Sequence, residues 1–278
     1  MNILENVFSP GIPKGLFIMK TDSMKTFSLP TKSPFGASSG DTEHAGLPDI
    51  ESCRKYLLQF SREITVPRGS KLIIDRVYYL IEGAVTLTAM SAVGGYHSLI
   101  YFSPGDLLSF IPSVNQAYAI PHDAFDFLLY NESLAMIAKT PCRLVCTEHR
   151  EFMQHMDEEP LKTLLIRGLA GNLMKIIVQS VNNSTLPATV RVCRMLSVFM
   201  EKKPPHNLPR YLTHTEIAGH LSMHVMTVTK IFQSLRKAGI LGRNLGVTYI
   251  KNPQELLNLA SQHRQLSYRT LPSPDEQY

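Results

Sequence analysis

The sequence predicts an α+β protein built from an N-terminal β-roll, a long helix and a C-terminal winged helix-turn-helix. Three patterns predict this order. Short β-rich runs with Gly and Pro between them fill residues 61–148, and an amphipathic pattern of helical period follows to about residue 181. Two short amphipathic segments and a hairpin signal then occupy residues 212–250. Many short strands with such turns are typical of a small barrel or jelly-roll.

The same patterns divide the chain of 278 residues into five segments. Residues 1–47 are rich in Pro, Gly, Ser, Thr and Met without a sustained period, so we expect a disordered or weakly ordered extension. The β-roll is predicted over 48–156, the long helix over 157–183, the winged helix-turn-helix over 184–262 and a flexible tail over 263–278.

The β-roll region begins with a predicted short helix over Asp49–Phe60 and continues as strands. Most of these strands are separated by turn residues such as Gly83 and Pro104-Gly105-Asp106. The candidate strands are Ile64–Val66, Lys71–Ile74, Val77–Ile81, Ala84–Met90, His97–Phe102, Ala124–Tyr130, Leu134–Ala138 and Arg143–Thr147.

The long helix is predicted from Glu159-Pro160 to about Val181, where an Asn-Asn-Ser-Thr run follows. Its apolar stripe is wide, so it is suited to packing on the β-roll, on a partner helix, or on both. The stripe includes Leu161, Leu165, Leu169, Leu173 and Ile176. Val190–Met200 is predicted as a further helix.

The helix-turn-helix opens on Thr213 and Glu216, which have the spacing of a capping box, and a second amphipathic segment follows the polar break at Ser222. Gly242 to Gly246 has the residues of a hairpin tip, and Asn252-Pro253 is a signal for the start of a last helix. A helix that enters the major groove beside a basic hairpin is the geometry of a DNA reader.

Charge and composition agree with that interpretation. Residues 191–271 carry 12 basic and 3 acidic side chains, a balance of +9, whereas the rest of the chain carries −4. A solvated basic face would have the same balance, but its coincidence with the motif favours the neutralisation of phosphates. We expect no signal peptide and no run approaching the ~18 apolar residues of a membrane span. The four scattered cysteines predict a reducing, cytoplasmic location.

Three motifs in this order resemble the Crp/Fnr family of bacterial transcription regulators. The strand ending in Ile81-Glu82-Gly83 and the turn at Pro104-Gly105-Asp106 resemble the cyclic-nucleotide-binding-like barrel of the family. The segments Leu212–Ala218 and Met226–Lys230 resemble its DNA-binding pattern. The resemblance implies a homodimer joined along the long helix, a roughly palindromic operator, and RNA polymerase and a small-molecule effector as further partners.

The DNA-binding residues follow from this resemblance. Arg243 on the wing and the helix-terminal amides near Thr213 are predicted to hold phosphates, and His224 starts the recognition helix. Val225 and Met226 cannot donate bidentate hydrogen bonds to guanine, so we expect apolar contacts with thymine methyl groups and an operator that differs from the usual family sequence. The predicted polar contacts are made by Thr227, Thr229 and Lys230.

The chain also departs from the family at the nucleotide site. Members that bind cyclic nucleotides carry a Gly-Glu pair and an arginine before Ser or Thr, but Ile111–Gln116 lacks the pair and Glu132 precedes Ser133. A carboxylate repels a cyclic phosphate, so we expect no binding of cyclic AMP in the family manner. The candidate effector pocket comprises Tyr101, Phe102, Phe110, Tyr130 and Glu132, although aromatic side chains in a barrel more often pack in its core.

No catalytic set, metal site or cofactor is predicted. Cys142 and Cys146 share a strand face, where two buried residues are favoured over a redox or metal pair, and the helix-turn-helix break separates His220 from His224. One alternative is a small-molecule-binding barrel protein whose winged domain mediates protein contacts. Another is a cupin-type barrel enzyme, although the barrel segment lacks closely spaced histidines.

Overall fold

The computed structural model describes residues 49–90, 96–121, 133–262 and 265–266. The predicted extension over 1–47, most of the predicted tail, and the predicted strand Ala124–Tyr130 with Glu132 lie outside these residues.

The β-roll consists, in the described part of the chain, of two four-stranded antiparallel sheets. The first sheet has the strand order β1-β8-β3-β6 and the second has the order β2-β7-β4-β5. The strands are β1 (Arg62–Val66), β2 (Lys71–Leu72), β3 (Arg76–Glu82), β4 (Val85–Met90), β5 (Tyr96–Phe102), β6 (Leu107–Leu108), β7 (Leu134–Ala138) and β8 (Cys142–Glu148).

Strand β8 shows how the sequence builds the β-roll, because its two faces enter two different cores. Cys142, Leu144 and Cys146 alternate along the strand and join a cluster with Leu80 of β3 and Val85 of β4. Val145 points to the opposite face and joins a second cluster, which includes side chains from the helices. Successive side chains of a strand point to opposite faces, so one strand serves both layers.

Among the described residues, four helices accompany the β-roll: α1 (Ile50–Leu57), α2 (Ile111–Ala117), α3 (His149–Gln154) and α4 (Glu159–Thr185). The first turns of α4 pack into the second cluster, where Leu161 and Leu165 are buried with Phe152. Our prediction of Leu161 and Leu165 as dimer contacts is therefore corrected, because the core of their own chain already covers both side chains.

The C-terminal domain contains α5 (Ala188–Phe199), α6 (His214–His220), α7 (Val225–Lys237), β9 (Leu241–Asn244), β10 (Val247–Ile250) and α8 (Pro253–Ala260). Its core brings together Leu196 of α5, Ile217 of α6, Ile231 and Leu235 of α7, and Leu256 of α8. The predicted helices and hairpin are thus present as a winged helix-turn-helix.

Some elements differ from the sequence predictions. Helix α4 continues to Thr185 because the hydroxyls of Ser184 and Thr185 donate back to helix carbonyls, and the side chain of Asn182 accepts from Arg194 at 2.9 Å. Strand β6 and helix α2 are additions to the predicted elements. Periodicity cannot indicate a strand of two residues, and Phe110, the residue before α2, makes no side-chain cap.

Candidate nucleic-acid interface

The first helix of the helix-turn-helix, α6, begins with a side-chain cap. The hydroxyl of Thr213 accepts a hydrogen bond from the backbone N–H of Glu216 at 3.1 Å, which satisfies one of the free amides at the helix start. Thr213 itself is exposed at this N-terminus. The predicted phosphate contact at Thr213 therefore lies beside free backbone donors, where a helix favours anions.

The second helix, α7, is capped by His224, whose Nδ1 accepts from the backbone N–H of Met226 at 3.2 Å. The buried side of α7 enters the domain core, while Val225, Met226 and Lys230 are exposed on the other side. Met226 is 55% exposed although it is apolar. The start of α7 therefore presents uncovered apolar and cationic side chains together.

The predicted contact residues of α7 lie at different positions around the helix. Met226 and Lys230 are four residues apart on one stripe, and Val225 and Thr229 form the neighbouring stripe. The Oγ1 of Thr229 lies 3.0 Å from Nδ1 of His214, so this hydroxyl already has a partner within the domain. Thr227 is half-buried and lies about 200° around the helix from Thr229, so the two threonines do not act together.

The wing is the hairpin of β9 and β10. Asn244 pairs with Val247, and the two residues between them, Leu245 and Gly246, both have positive φ angles of 45° and 80°. This is the backbone of a type I′ turn, which suits the twist of a two-stranded ribbon. Arg243 is exposed on β9, and Leu245 is 92% exposed at the tip.

A cleft of about 410 Å³ separates the wing from α6 and α7. Thr213, His214 and Arg243 line it, together with Arg210 and Arg236. Burial lowers the pKa of His214, and the charges of Arg236 and Arg243 lower it further, so the imidazole is neutral at pH 7. Sequence reasoning missed Arg210 and Arg236, because only the fold brings the loop before α6 and the end of α7 to the wing.

The carboxylate of Glu216 does not complete the predicted capping box. It accepts hydrogen bonds from the hydroxyls of Ser98 and Tyr101 on β5, and Lys139 donates to its other oxygen at 2.9 Å. The backbone N–H of Thr213, which the box would have satisfied, donates to the carbonyl of Tyr211 instead. The helix-turn-helix is therefore attached to the β-roll through this carboxylate.

Further contacts surround Glu216. Nδ1 of His220 lies 2.9 Å from the carbonyl oxygen of Ser98, and the amide of Gln179 on α4 donates to the carbonyl of His220 at 2.8 Å. The approach is close, because a Cβ placed on Gly219 would lie 2.8 Å from the ring of His97. One turn of α6 thus contacts both the β-roll and α4.

These contacts set the ionisation of the groups involved. Burial opposes the charge on Glu216, but the hydrogen bonds from Ser98, Tyr101 and Lys139 outweigh it and lower its pKa. Burial raises the pKa of Tyr101, and the charge of Glu216 raises it further. Burial also lowers the pKa of His220. At pH 7 the cluster therefore holds a carboxylate, a neutral phenol and a neutral imidazole.

The predicted effector pocket is not assembled as expected. Phe102 is buried between the two sheets, whereas Phe110 is buried in the cluster that contains Phe152 and the start of α4. Tyr101 faces the helix-turn-helix. These three side chains therefore do not line one cavity, because alternation along β5 and the turn after Asp106 direct them to different places. Tyr130 and Glu132 lie outside the described residues.

The cysteines predicted to share a strand face do so. Cys142 and Cys146 are both free and buried in the core between the sheets. His220 and His224 lie on opposite sides of the turn between α6 and α7, where one contacts Ser98 and the other caps α7. Each histidine thus has a structural role of its own.

Comparison with known proteins agrees with this geometry. Residues 190–259 match the family model of the Crp-like helix-turn-helix domain. No curated protein sequence matches the chain.

Solved structures of Crp/Fnr regulators share the fold over most of the chain. The c-di-GMP responsive global regulator CLP of Xanthomonas campestris is 15% identical, with a TM-score of 0.57, over 73% of this chain and 99% of its own. FixK2 from Bradyrhizobium japonicum is 17% identical, with a TM-score of 0.55, over 72% and 96%. A CRP-family regulator from Thermus thermophilus is 18% identical, with a TM-score of 0.57, over 74% and 100%. The chain thus contains a Crp-like helix-turn-helix domain and has the fold of the Crp/Fnr family of transcription regulators.

Proposed function

We propose that the protein is a homodimeric, sequence-specific DNA-binding regulator of transcription. The match of residues 190–259 to a Crp-like helix-turn-helix domain is the observation that carries this proposal. The exposed start of α7, the wing and the basic balance of this part of the chain support it. Two α7 helices would enter successive major grooves of a roughly palindromic operator, about one helical turn apart.

The exposed residues of α7 define the proposed base contacts. Lys230 would donate to a guanine, and Met226 and Val225 would contact thymine methyl groups. The hydroxyl of Thr229 already contacts His214, so Thr229 would accept a hydrogen bond from a base through a remaining lone pair. Thr213 and Arg243 would hold phosphates, and the turn at His224 would set the depth of α7 in the groove.

The exposed face of α4 supports the homodimer. Seven large apolar side chains between Ile166 and Val181 are 41–62% exposed along this helix. A second copy of α4 would cover this face as in a coiled coil. The remaining exposed residues of the set are Leu169, Leu173, Met174, Ile176 and Ile177.

Among the described helices, α4 alone is long and apolar enough to cross a membrane. Its other side, however, contacts folded domains along its length. Lys175 donates to Asp106 at 2.7 Å, Gln179 donates to the carbonyl of His220, and a Cβ on Gly168 would lie 3.1 Å from the ring of Phe110. A helix surrounded by lipid would lose these contacts, so we propose a protein partner in the cytoplasm, where the buried cysteines stay reduced.

The β-roll is proposed as a sensor that does not bind cyclic AMP in the family manner. The residues that follow Phe110, where a Gly-Glu pair would stand, form helix α2. Ser113 of α2 is buried and hydrogen-bonded to His149 of α3. An effector would act by favouring the DNA-competent arrangement, and the contact between Glu216 and β5 is the proposed route to the helix-turn-helix.

A protein-binding role for the winged domain is the second candidate. The charge of residues 191–271 distinguishes this candidate from DNA binding, because a surface for neutral protein contacts does not need the +9 balance. RNA polymerase remains a proposed partner of the DNA-bound dimer. We propose no catalytic activity and no resident cofactor.

Selection of bound fragments from random DNA tests the proposal. The full-length protein is incubated with random duplexes, and the recovered fragments are sequenced and their affinities measured at several salt concentrations. We expect an enriched, roughly palindromic motif and an affinity that falls steeply with salt. Recovery of unenriched sequences would contradict the proposal and favour the protein-binding alternative.

A further inference from the structure

The cleft beside the recognition helix contains more positive charge than the motif explains. Arg210, Arg236 and Arg243 reach it from three separate elements: the loop before α6, the last turn of α7 and the wing. Among the described residues, no carboxylate forms an ion pair with any of them. Three guanidinium groups without acidic partners in one cleft repel each other, and an anion relieves that repulsion.

Arg236 is held in an unusual way. Its guanidinium lies 6.0 Å from the ring centroid of Phe232, and its Nε is buried without a hydrogen-bond acceptor among the described groups. The side chain is therefore fixed by packing, not by an ion pair. Such a guanidinium keeps its outer donors available for a bidentate acceptor.

The position of the cleft relates it to the DNA surface. Arg236 is seven residues after Thr229 and eleven after Val225, which places all three on one stripe of α7. The exposed N-terminus of α6 at Thr213 forms another wall, and wing residues close the opposite side. A duplex whose bases contact the start of α7 would therefore carry its sugar-phosphate backbone past this cleft.

We propose that the cleft binds a phosphodiester group of the DNA backbone and that Arg236 is its principal ligand, with Arg210 and Arg243 beside it. The inference rests on the proposed DNA-binding function and adds residues to that surface. The phosphate would also face His214, which lines the cleft and whose ring lies 4.5 Å from the ring of Phe232, centroid to centroid. Because the contact is made to the backbone, it adds affinity without adding sequence preference.

The test compares the wild-type protein with Arg236→Gln by fluorescence anisotropy. The selected duplex and an unrelated duplex of equal length are titrated at several KCl concentrations. We expect Arg236→Gln to weaken binding to both duplexes by about tenfold and to reduce the slope of log affinity against log salt by about 0.9. The ratio between the two affinities should stay unchanged.

Two further variants distinguish a specific phosphate contact from diffuse attraction and from a packing role. Lys237→Gln removes a neighbouring exposed charge from the same last turn of α7 and should leave the slope unchanged. If Arg236→Gln and Lys237→Gln reduce the salt slope equally, the attraction is diffuse and the proposal is overturned. Arg236→Lys should keep the slope but lose affinity, because the ammonium keeps the charge without the bidentate geometry. If Arg236→Lys also reduces the slope of log affinity against log salt, Arg236 has a packing role and the proposal is overturned.

A free anion is the competing occupant, and inorganic phosphate is its probe. At constant ionic strength, we expect millimolar phosphate to produce no saturable rise in the melting temperature that depends on Arg236. Such a rise, together with an unchanged salt slope for DNA, would assign the cleft to a small anion. If the wild-type protein binds no duplex at all, the proposed function fails. If it binds its selected duplex and Arg236→Gln keeps the wild-type slope, this inference alone fails.

Discussion

Glu216 on the first helix of the helix-turn-helix accepts a hydrogen bond at 2.6 Å from the phenol of Tyr101, which lies on strand β5 of the β-roll. Lys139 forms an ion pair with the same carboxylate at 2.9 Å, and both of these side chains are only 15% exposed. Glu216 therefore joins two elements of the β-roll to the DNA-binding domain, beside the contact of His220 with the carbonyl of Ser98. We therefore expect a movement of β5 to be transmitted directly to α6.

Replacing Glu216 tests the strength of this contact. We expect Glu216→Gln to lower the free energy of unfolding by roughly 2 kcal/mol, because the change leaves Lys139 buried without its partner. Urea denaturation measures the effect. Glu82→Gln is the control, since its side chain is 69% exposed at 3.6 Å from Arg143 and such a surface pair contributes little. Equal stabilities of the Glu216 variant and the wild type would refute the assigned role.

The pH dependence of the same variant gives an independent check. The pKa of Glu216 lies below its ordinary value of 4.5 in the folded protein, so the carboxylate stabilises the fold fully above pH 4.5. This contribution disappears as the pH falls through the lowered pKa. The stability difference between wild type and Glu216→Gln should thus shrink as the pH falls below 4.5. A difference that stays constant over that range would argue against the ionised contact.

The apolar face of α4 provides a prediction about assembly. Leu173 is 58% exposed in the single chain. We expect Leu173→Glu to convert the dimer into monomers, because a charge in a coiled-coil seam must be desolvated. Sedimentation measures the mass, and Leu173→Met serves as the apolar control that should remain dimeric. A wild-type protein that sediments as a monomer at micromolar concentration would contradict the assignment of this face.

Lys230 is predicted to read a base. Lys230→Ala should weaken binding to the selected duplex by about 1–3 kcal/mol and relax the preference at one position of each half-site. Repeating the selection with the variant measures both effects. Lys237→Ala is the matched control and should leave the selected sequence as it is. An unchanged motif with Lys230→Ala would remove this residue from the base contacts.

Cyclic AMP provides a test of the β-roll. A ligand that binds the folded state raises the melting temperature with concentration. We expect no such rise with cyclic AMP up to millimolar levels, because residues 111–116 lack the Gly-Glu pair of the family members that bind cyclic nucleotides. Cyclic GMP at the same concentrations controls for general nucleotide effects. A dose-dependent rise with cyclic AMP alone would contradict our interpretation of residues 111–116.

The fold was largely predictable because its elements carry local signals. The alternation of Cys142, Leu144 and Cys146 predicts a strand with one buried face, and the Thr213 cap predicts the start of α6. Strand β6 and helix α2 were missed because they lack such signals. The sequence also could not divide the apolar stripe of α4, since Leu161 and Leu173 look alike until the β-roll buries one of them.

The site was less predictable than the fold. Thr213, Met226 and Lys230 lie within one motif, so the sequence alone could propose them, and their contacts with DNA stay predictions. Glu216 has the spacing of a capping box, but its actual partners are more than 70 residues away in the chain. Arg236 likewise becomes notable only when the wing folds beside it. Contacts of this kind depend on tertiary structure and have no local pattern.

Competition between duplexes tests the central claim most directly. A labelled, selected duplex is bound by the wild-type protein at physiological salt, and unlabelled copies of itself or bulk genomic DNA are added as competitors. The account predicts that the selected duplex competes at least about 1,000-fold better per site than bulk DNA. Equal competition by both would show that the recognition helix reads no sequence, and the regulator assignment would fall.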